Sequence, residues 1–432
     1  MDDIPEEVSE SNPKRIKTSE DHEAPTPSHC KHFVKRKKRY CKMTVKFGEE
    51  YCGEHQEISP ELSSNENKDK NQVRIPCPLD NKHTCYARNL KKHLKICNAR
   101  PKKEEPFINR GINSGVEPED TEDVHKLLSS YPTEQIQKVI AKVNEVYEKT
   151  IQKRLNEKIS NHEVVEEEMA KPEHGDKSKK HLTQVSSILG LLDEYDLMKP
   201  KTCFIEFGAG RGQLSYWIAK ACASDKESSI LLVEKASPKH KKDNKLGESA
   251  EKVCRIRADI SDLVLDKLDI ITKTSNIVGV TKHLCGQATD LALRCMANAE
   301  ENREKVGGCV MTFCCHHRCR WIPYTGKEFF KQNDLSSDDF YIVCGMSSWA
   351  TCGSGLSREK RKEDLLIQDK ANERDLAIGL SKSEKEEVGR RSKSVINWGR
   401  LTFLENRGFR CHLHYYVDKS ITPENACIVA VK

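Results

Sequence analysis

The sequence predicts an α/β fold built around a mostly parallel sheet, with two small metal-binding modules in front of it. Three observations lead to this prediction. Apolar stretches alternate with amphipathic helical patterns between residues 181 and 432, and a glycine-rich turn follows the first of those stretches. Two sets of Cys and His residues with metal-ligand spacing lie between residues 28 and 100.

Length and composition predict more than one folded unit and a solvated remainder. A chain of 432 residues is long enough for two or three units. Charged residues make up 32% and hydrophobic residues 36%, and residues 1–27 have the composition of a disordered tail. We find no run long enough to cross a membrane, and the acidic, polar N-terminal stretch is unlike a signal peptide. The odd count of 19 cysteines favours metal sites in a reducing compartment, so we expect an intracellular protein of the nucleus and/or cytoplasm.

The net charge of +6 is unevenly distributed. Residues 28–103 contain 19 Lys and Arg against 8 Asp and Glu, a net charge of +11, so the rest of the chain carries −5. A basic module joined to an acidic domain indicates that a polyanion is held at one end of the protein.

The first candidate metal centre, in residues 28–58, has four ligands: Cys30, Cys41, Cys52 and His55. Three thiolates and one imidazole make a closed zinc site of the structural kind. The flanking His29 and His32 remain alternative ligands. Cations and aromatic rings alternate before the second cysteine, as RNA binding would require. They are Lys31, Phe33, Lys35, Arg36, Lys37, Lys38, Arg39 and Tyr40.

The second candidate metal centre, in residues 74–100, also has four ligands: Cys77, His83, His93 and Cys97. The helical pattern from Asn89 to Ile96 places His93 and Cys97 one turn apart, and a turn or hairpin supplies the other two. Cys85 has no role in this scheme. So short a segment has too little core to fold without its metal, which is expected to be zinc.

An amphipathic helix is predicted from Thr133 to Leu155, within a helical segment of residues 120–170. The repeat lasts only about three heptads, so we expect the helix to pack on the predicted α/β domain rather than to dimerise as a coiled coil. Stable oligomers are therefore not expected. The polar residues 171–180 are predicted to be a linker to a domain of residues 181–432.

The glycine turn, Gly208-Ala209-Gly210-Arg211-Gly212, predicts a nucleotide-type cofactor site. Gln213 replaces the last glycine of the dinucleotide pattern, and carboxylates follow the first two strands, which favours S-adenosylmethionine. Glu206 suits the ammonium group, Glu234 the ribose hydroxyls, and Asp259 the adenine amine. The predicted cofactor residues are Glu206, Gly208, Gly210, Gly212, Glu234 and Asp259. A dinucleotide site, or a turn that serves only strand–helix packing, is the alternative.

Two unusual clusters follow the next two predicted strands. Residues 277–280 lead into Lys282-His283-Leu284-Cys285-Gly286, and residues 308–313 lead into Cys314-Cys315-His316-His317-Arg318-Cys319. Ligands bind beyond the carboxyl ends of strands in an open α/β sheet, so both clusters are expected beside the cofactor. A closing pair of strands, 411–417 and 427–431, ends the domain.

The two Cys/His sets and the two clusters occur in an order that resembles the eukaryotic tRNA 2′-O-methyltransferase family, which modifies nucleotide 4 of the acceptor stem. The resemblance covers residues 30–432 apart from the helix and the linker. It implies a Rossmann-like, seven-stranded methyltransferase sheet, two structural zinc ions, S-adenosylmethionine as donor and the tRNA acceptor stem as partner. A zinc-finger RNA-binding adaptor with a non-catalytic methyltransferase-like domain is the competing class.

The chemistry that the resemblance implies needs a group that assists loss of the 2′-hydroxyl proton. Lys282 is the first candidate and His283 the second, because burial beside a sulfonium would lower the pKa of a lysine toward neutrality. His316 or His317 is expected to contact the ribose. A third zinc ion at the Cys314–Cys319 cluster is an alternative, but Cys314 and Cys315 are adjacent and would project from opposite faces of an extended chain, so they are expected to chelate a metal poorly.

Overall fold

The computed structural model describes residues 28–34, 39–45, 47–52, 55, 74–97, 99–100, 105–117, 125–238, 240–352 and 378–432. The chain divides into two compact units, Met1–Lys103 and Glu104–Lys432, called here the finger unit and the catalytic unit. The predicted disordered tail, the cations at positions 35–38 and the highly charged residues 353–377 lie outside the described residues. No helix in the described ranges is long and apolar enough to cross a membrane.

The finger unit consists of two short hairpins and one helix. Strands β1 (Phe33–Val34) and β2 (Arg39–Tyr40) pair antiparallel, as do β3 (Arg74–Cys77) and β4 (Asp80–Tyr86). Helix α1 (Leu90–Ile96) follows the second hairpin. The predicted hairpin and helix around the second Cys/His set are therefore both present.

The catalytic unit is built on an eight-stranded sheet. Its strands are β5 (Leu155–Glu157), β6 (Thr202–Phe207), β7 (Ser229–Val233), β8 (Val253–Ile256), β9 (Asn276–Cys285), β10 (Val306–Cys314), β11 (Arg410–Tyr415) and β12 (Ala426–Val431). Their order across the sheet is β5-β11-β12-β10-β9-β6-β7-β8. The block from β10 to β8 is parallel, and β12 pairs antiparallel with both β10 and β11. The predicted α/β fold and closing hairpin are confirmed.

The eighth strand corrects the expected count of seven. Strand β5 extends the edge of the sheet by pairing parallel with β11. The sequence pattern assigned Leu155 to the end of a long helix, but the α-helix ends at Val146 and one π-helical turn, Tyr147–Ile151, follows it. The chain then has room to extend along the free edge of β11.

Helices cover both faces of the sheet. They are α2 (Thr133–Val146), α3 (Glu163–Ala170), α4 (Asp176–Glu194), α5 (Gln213–Ala221), α6 (Asp269–Thr272), α7 (Ala288–Ala297), α8 (Lys327–Gln332), α9 (Ser337–Ser347), α10 (Trp349–Cys352) and α11 (Lys382–Glu405). One apolar core joins the sheet to α2, α7, α9 and α11, and a second joins its opposite face to α4 and α5.

Helix α2 places its apolar stripe inside the catalytic unit. Ile136, Val139 and Val143 are at most 1% exposed, and the helix packs against α9 and α11. Because this stripe is already covered within the chain, α2 does not present it for a coiled coil. Residues 171–180 also differ from a linker, since α4 begins at Asp176.

Candidate active site and metal centres

The four predicted ligands of the first finger converge. The ligand atoms of Cys30, Cys41, Cys52 and His55 all lie within 4.8 Å of one another. His55 Nδ1 is 3.4 Å from the sulfurs of both Cys30 and Cys52. The ring of His32 stacks on that of His55 with centroids 3.8 Å apart, so this alternative ligand packs against the predicted one. His29 is not part of the cluster.

The second finger forms an equally compact set from Cys77, His83, His93 and Cys97. His93 Nε2 is 3.1 Å from Cys77 Sγ, His83 Nε2 is 3.4 Å from Cys97 Sγ, and the two sulfurs are 3.7 Å apart. Cys85 is buried in the same hairpin but is not one of the four. Helix α1 places His93 and Cys97 one turn apart, as the spacing predicted.

These donor sets fit zinc. Bonds of about 2.0–2.3 Å to a tetrahedral ion place neighbouring ligand atoms roughly 3.3–3.8 Å apart. Four of the six separations within the second set lie between 3.1 Å and 3.7 Å. Both sets combine thiolates with imidazoles, which is the chemistry of closed structural zinc sites.

The glycine turn lies between β6 and α5 and takes left-handed backbone angles. Gly208, Gly210 and Gly212 have φ values of +67°, +49° and +72°. A Cβ atom at Gly208 would lie 2.8 Å from Leu284 of β9, whereas one at Gly210 would meet no atom within 4 Å. The turn is thus packed on one side and open in front of Gly210, as a cofactor-binding turn requires.

Glu206 lies beneath this turn rather than at its surface. It is 4% exposed and accepts hydrogen bonds from the backbone N–H of Ser215 at 3.0 Å and from the Ser215 hydroxyl at 2.5 Å. Burial raises the pKa of Glu206 to about 7, although the bonds from Ser215 act in the opposite direction. The carboxyl group therefore fixes the start of α5 behind the turn.

Glu234 and Asp259 follow β7 and β8 at the same edge of the sheet. Glu234 accepts hydrogen bonds from the backbone N–H groups of Gly210 at 2.9 Å and Ala236 at 2.8 Å. Asp259 pairs with Lys235 at 2.5 Å. Burial alone would raise the pKa of Asp259. Hydrogen bonds from Lys235 and Ser261 outweigh this effect and lower the pKa below its ordinary value. The carboxylate of Glu234 thus contacts the glycine turn, and Asp259 is held by Lys235, the residue that follows Glu234.

An arginine that sequence reasoning missed supports the turn from behind. Arg255, in the middle of β8, donates to the carbonyl oxygen of Gly210 at 2.9 Å and forms two hydrogen bonds to Asp243. A Cβ atom at Gly212 would lie 2.8 Å from its guanidinium. The available signal was a charged residue in the centre of a short parallel strand.

Lys282 faces the same region from β9. Its Nζ lies 2.9 Å from Nδ1 of His181, a residue of α4 that sequence reasoning also missed. Burial lowers the pKa of Lys282 to about 8, while the charge of Glu206 acts in the opposite direction. His283, the next residue, is more exposed than Lys282, and partial desolvation of its ring together with the charge of Lys282 lowers its pKa. The lowered pKa allows a minor part of the Lys282 amines to be neutral near physiological pH, which an ordinary lysine does not reach.

His316 and His317 differ in accessibility. His316 is 2% exposed, and its Nε2 lies 3.0 Å from Asn397 Oδ1, so its side chain lies below the surface of the site. Burial and the charge of Arg400 lower the pKa of His316 well below its ordinary value. His317 is half-buried. Of the two histidines, His317 is the more accessible.

A buried ion pair lies beside His316. Arg400 of α11 and Asp290 of α7 are 1% and 0% exposed and form two hydrogen bonds, at 2.6 Å and 3.1 Å. Asp290 also accepts from Thr325, and Arg400 donates to Asn397 and to the sulfur of Cys319. This network joins α7, α11 and the loop after β10.

The two sequence clusters meet at the carboxyl edge of the sheet. Cys314 of β10 is in register with Cys285 of β9, and their sulfurs are 3.2 Å apart. Cys315 joins them, whereas Cys319 is buried against Arg400. Hydrogen bonds from Cys314 and Cys315 lower the pKa of Cys285. The expectation that the adjacent cysteines diverge was wrong, because Cys315 adopts left-handed angles (φ 56°, ψ 43°) that turn its side chain back.

Comparisons with known protein families match three parts of the chain. Residues 183–431 match the family described as Methyltransferase TRM13, residues 28–56 match the CCCH zinc finger in TRM13 protein, and residues 74–98 match the U11-48K-like CHHC zinc finger. These matches identify both Cys/His sets as zinc fingers and the glycine turn as part of an S-adenosylmethionine-dependent methyltransferase domain.

Curated relatives match nearly the whole chain. A protein of Mus musculus named tRNA:m(4)X modification enzyme TRM13 homolog is 34% identical over 94% of this chain and 95% of its own length. The Homo sapiens protein of the same name is 34% identical with the same coverage. The Debaryomyces hansenii protein, tRNA:m(4)X modification enzyme TRM13, is 29% identical over 99% of this chain and 96% of its own. The chain belongs to the TRM13 methyltransferase family.

Proposed function

We propose that this protein transfers a methyl group from S-adenosylmethionine to the ribose 2′-hydroxyl of nucleotide 4 in the acceptor stem of tRNA. Membership of the family and the names of its relatives support tRNA as the substrate class. The observation that carries the 2′-hydroxyl assignment is the amine of Lys282, held next to His181 with its pKa lowered to about 8.

The donor lies across the glycine turn in this proposal. The N–H groups of the turn bind its carboxylate, and Glu234 accepts hydrogen bonds from the ribose hydroxyls. Glu234 already accepts from Gly210 N–H, so the same carboxylate sets the position of the turn. Asp259 accepts from the adenine amine. Glu206 is buried under the turn and acts on the donor ammonium through the electrostatic field rather than by an exposed contact.

Lys282 removes the 2′-hydroxyl proton, or stabilises the oxygen as that proton leaves. A neutral amine is a base, and a group with a pKa near the working pH is the most effective general base. Depression of the pKa by burial is a common way to bring a lysine into this range. His283 and His317 face the same edge and contact the acceptor nucleotide.

The finger unit holds the RNA. Its net charge of +11 suits a polyanion, and α1 exposes Lys91, Lys92 and Lys95 on the surface opposite its zinc ligands. The cations at positions 35–38 contribute to this net charge but lie outside the described residues. Phosphate contacts of this kind give affinity and orientation, while the catalytic unit selects the nucleotide.

One experiment tests the assignment of the acceptor oxygen. The full chain is incubated with methyl-labelled donor and a tRNA transcript, and the labelled nucleotide is mapped. Methylation of a 2′-hydroxyl makes the following phosphodiester resistant to alkali, because the attacking oxygen is blocked, whereas methylation of a base does not. The matched control is the same tRNA with a 2′-deoxynucleotide at position 4.

We expect one alkali-resistant step at position 4 and no incorporation into the deoxy control. Label in an alkali-sensitive nucleotide would show base methylation and contradict the proposal. Absence of label together with absence of donor binding would favour the RNA-binding adaptor.

A further inference from the structure

A group of three cysteines at the carboxyl edge of the sheet has no role in the proposed methyl transfer. It consists of Cys285 at the end of β9, Cys314 at the end of β10 and Cys315, the next residue, and is called here the thiol cluster. All three sulfurs lie within 4.8 Å of one another. The ligand atoms of each zinc finger lie within the same distance of one another.

The local backbone is shaped to bring the third sulfur in. Cys315 has φ 56° and ψ 43°, a left-handed conformation that strains the backbone of a residue with a Cβ atom. The loop is fixed by hydrogen bonds from Gly286 N–H to the Cys314 carbonyl at 3.0 Å and from Arg318 N–H to the Cys315 carbonyl at 2.8 Å. Strain of this kind persists where the surrounding structure over-determines it, and here its effect is to converge three thiols.

Simple packing does not account for the thiol cluster. Cysteines of this chain that serve as small core residues, such as Cys203, Cys309 and Cys427, are at most 1% exposed. Cys285 is exposed and Cys315 half-exposed. A disulfide between Cys285 and Cys314 would use two of the sulfurs and leave the strained third residue unexplained.

We propose that Cys285, Cys314 and Cys315 bind a third zinc ion through three sulfur ligands. Thiolates are soft ligands that select zinc over magnesium or calcium. Within the described residues no fourth Cys, His, Asp or Glu atom belongs to the group, so water or another exchangeable ligand completes the coordination. The ion cross-links the ends of β9 and β10 three residues beyond Lys282. The inference does not depend on which substrate is methylated.

Metal content of the full chain tests the proposal directly. The protein is purified under reducing conditions without added chelator, and zinc per chain is measured by mass spectrometry. We expect three zinc ions in the wild type and two in Cys285→Ser and in Cys315→Ser. The matched control is Cys254→Ser, which removes an exposed cysteine of β8 outside the thiol cluster and should retain three.

A second measurement on the wild type decides the matter if the serine variants do not fold. Cysteines are alkylated in the native protein with and without a strong chelator, and the modified residues are mapped. We expect Cys254 to react in both samples, and Cys285 and Cys315 to react only after chelation. Two zinc ions in the wild type, three in Cys285→Ser, or a Cys285–Cys314 disulfide in the native protein would each overturn the proposal.

Discussion

The finger unit and the catalytic unit bury different kinds of side chain. Among the residues that the structure describes in the finger unit, those classed as buried are all cysteines: Cys30, Cys52, Cys77, Cys85 and Cys97. The catalytic unit instead buries leucine, isoleucine, valine and phenylalanine on both faces of its sheet. Four of the five buried cysteines of the finger unit are zinc ligands, so metal bonds there replace an apolar core.

The difference follows from the size of the two units. A hairpin and a two-turn helix cannot remove enough apolar surface from water to offset the entropy of ordering the chain, so binding of zinc supplies the folding energy. An eight-stranded sheet with helices on both faces has no such need. It can therefore place charged groups such as Lys282, Glu206 and Arg400 in its interior, where burial changes their chemistry.

The largest effect should come from removal of one zinc ligand. Cys97→Ala should abolish one site, with a loss on the order of 10–16 kcal/mol of binding energy, and unfold β3, β4 and α1. Zinc content and hydrogen exchange of the full chain measure this. Cys85→Ala, a buried cysteine of the same hairpin that is not a ligand, should keep its zinc. Loss of protection in β6 or β7 after Cys97→Ala would show that the two units are not independent in stability.

Breaking the buried ion pair should destabilise the catalytic unit and leave the finger unit unchanged. Asp290→Asn leaves Arg400 charged and uncompensated, and should destabilise the catalytic unit by about 3–5 kcal/mol. Zinc content should not change. The control Glu405→Gln removes the partner of Arg154 in a solvent-exposed pair 2.7 Å apart, and should cost less than about 1 kcal/mol. Equal losses in urea unfolding would mean that burial does not set the strength of these pairs.

The rate of methyl transfer, in contrast to zinc binding, should depend on a residue of the catalytic unit. Lys282→Met should lower the single-turnover methylation rate by roughly a hundredfold, with donor affinity, tRNA affinity and finger zinc retained. In the wild type the rate should rise with pH and level off above about 8, because the neutral amine is the active form. A near-normal rate in Lys282→Met beside an inactive His317→Ala would transfer the role to the second cluster.

Donor binding should depend on Glu234 and not on the fingers. Glu234→Ala removes a charged acceptor for the ribose hydroxyls and the partner of Gly210 N–H, and should weaken donor affinity by about 1.5–3 kcal/mol. Calorimetric titration measures this. The affinity for tRNA is the internal control and should be unchanged. Unaltered donor affinity would place the adenosine end of the donor elsewhere.

The smallest effect concerns stability against pH. Burial raises the pKa of Glu206 above its unfolded value to about 7, so its contribution to stability is lost as pH rises through 7. At about pH 8, Glu206→Gln should therefore be more stable than the wild type by about 1–3 kcal/mol, and the gap should close toward pH 5. The exposed Glu301→Gln should show no such dependence. The fingers should follow the opposite trend, because protonated thiols bind zinc more weakly.

Spacing and periodicity identified much of this architecture. Eight zinc ligands, the glycine turn and seven of the eight strands of the sheet could be recognised because ligands near in sequence and apolar runs are local signals. The π-helical turn after α2 and the strand β5 could not, since Leu155 continues a helical pattern and only the free edge of β11 makes it extended. His181 and Arg255 were missed for the same reason: their roles come from residues far away in the chain.

The sequence by itself determined which functional groups this protein contains: two Cys/His sets, a glycine turn with acids after successive strands, and two clusters at strand ends. Tertiary structure decided what those groups become. It buried Glu206 and His316, lowered the pKa of Lys282 and turned Cys315 toward Cys285. The physical reason is that the identity of a ligand depends on one residue and can be read from the sequence. Burial, electrostatic environment and the convergence of distant thiols exist only after the sheet has formed.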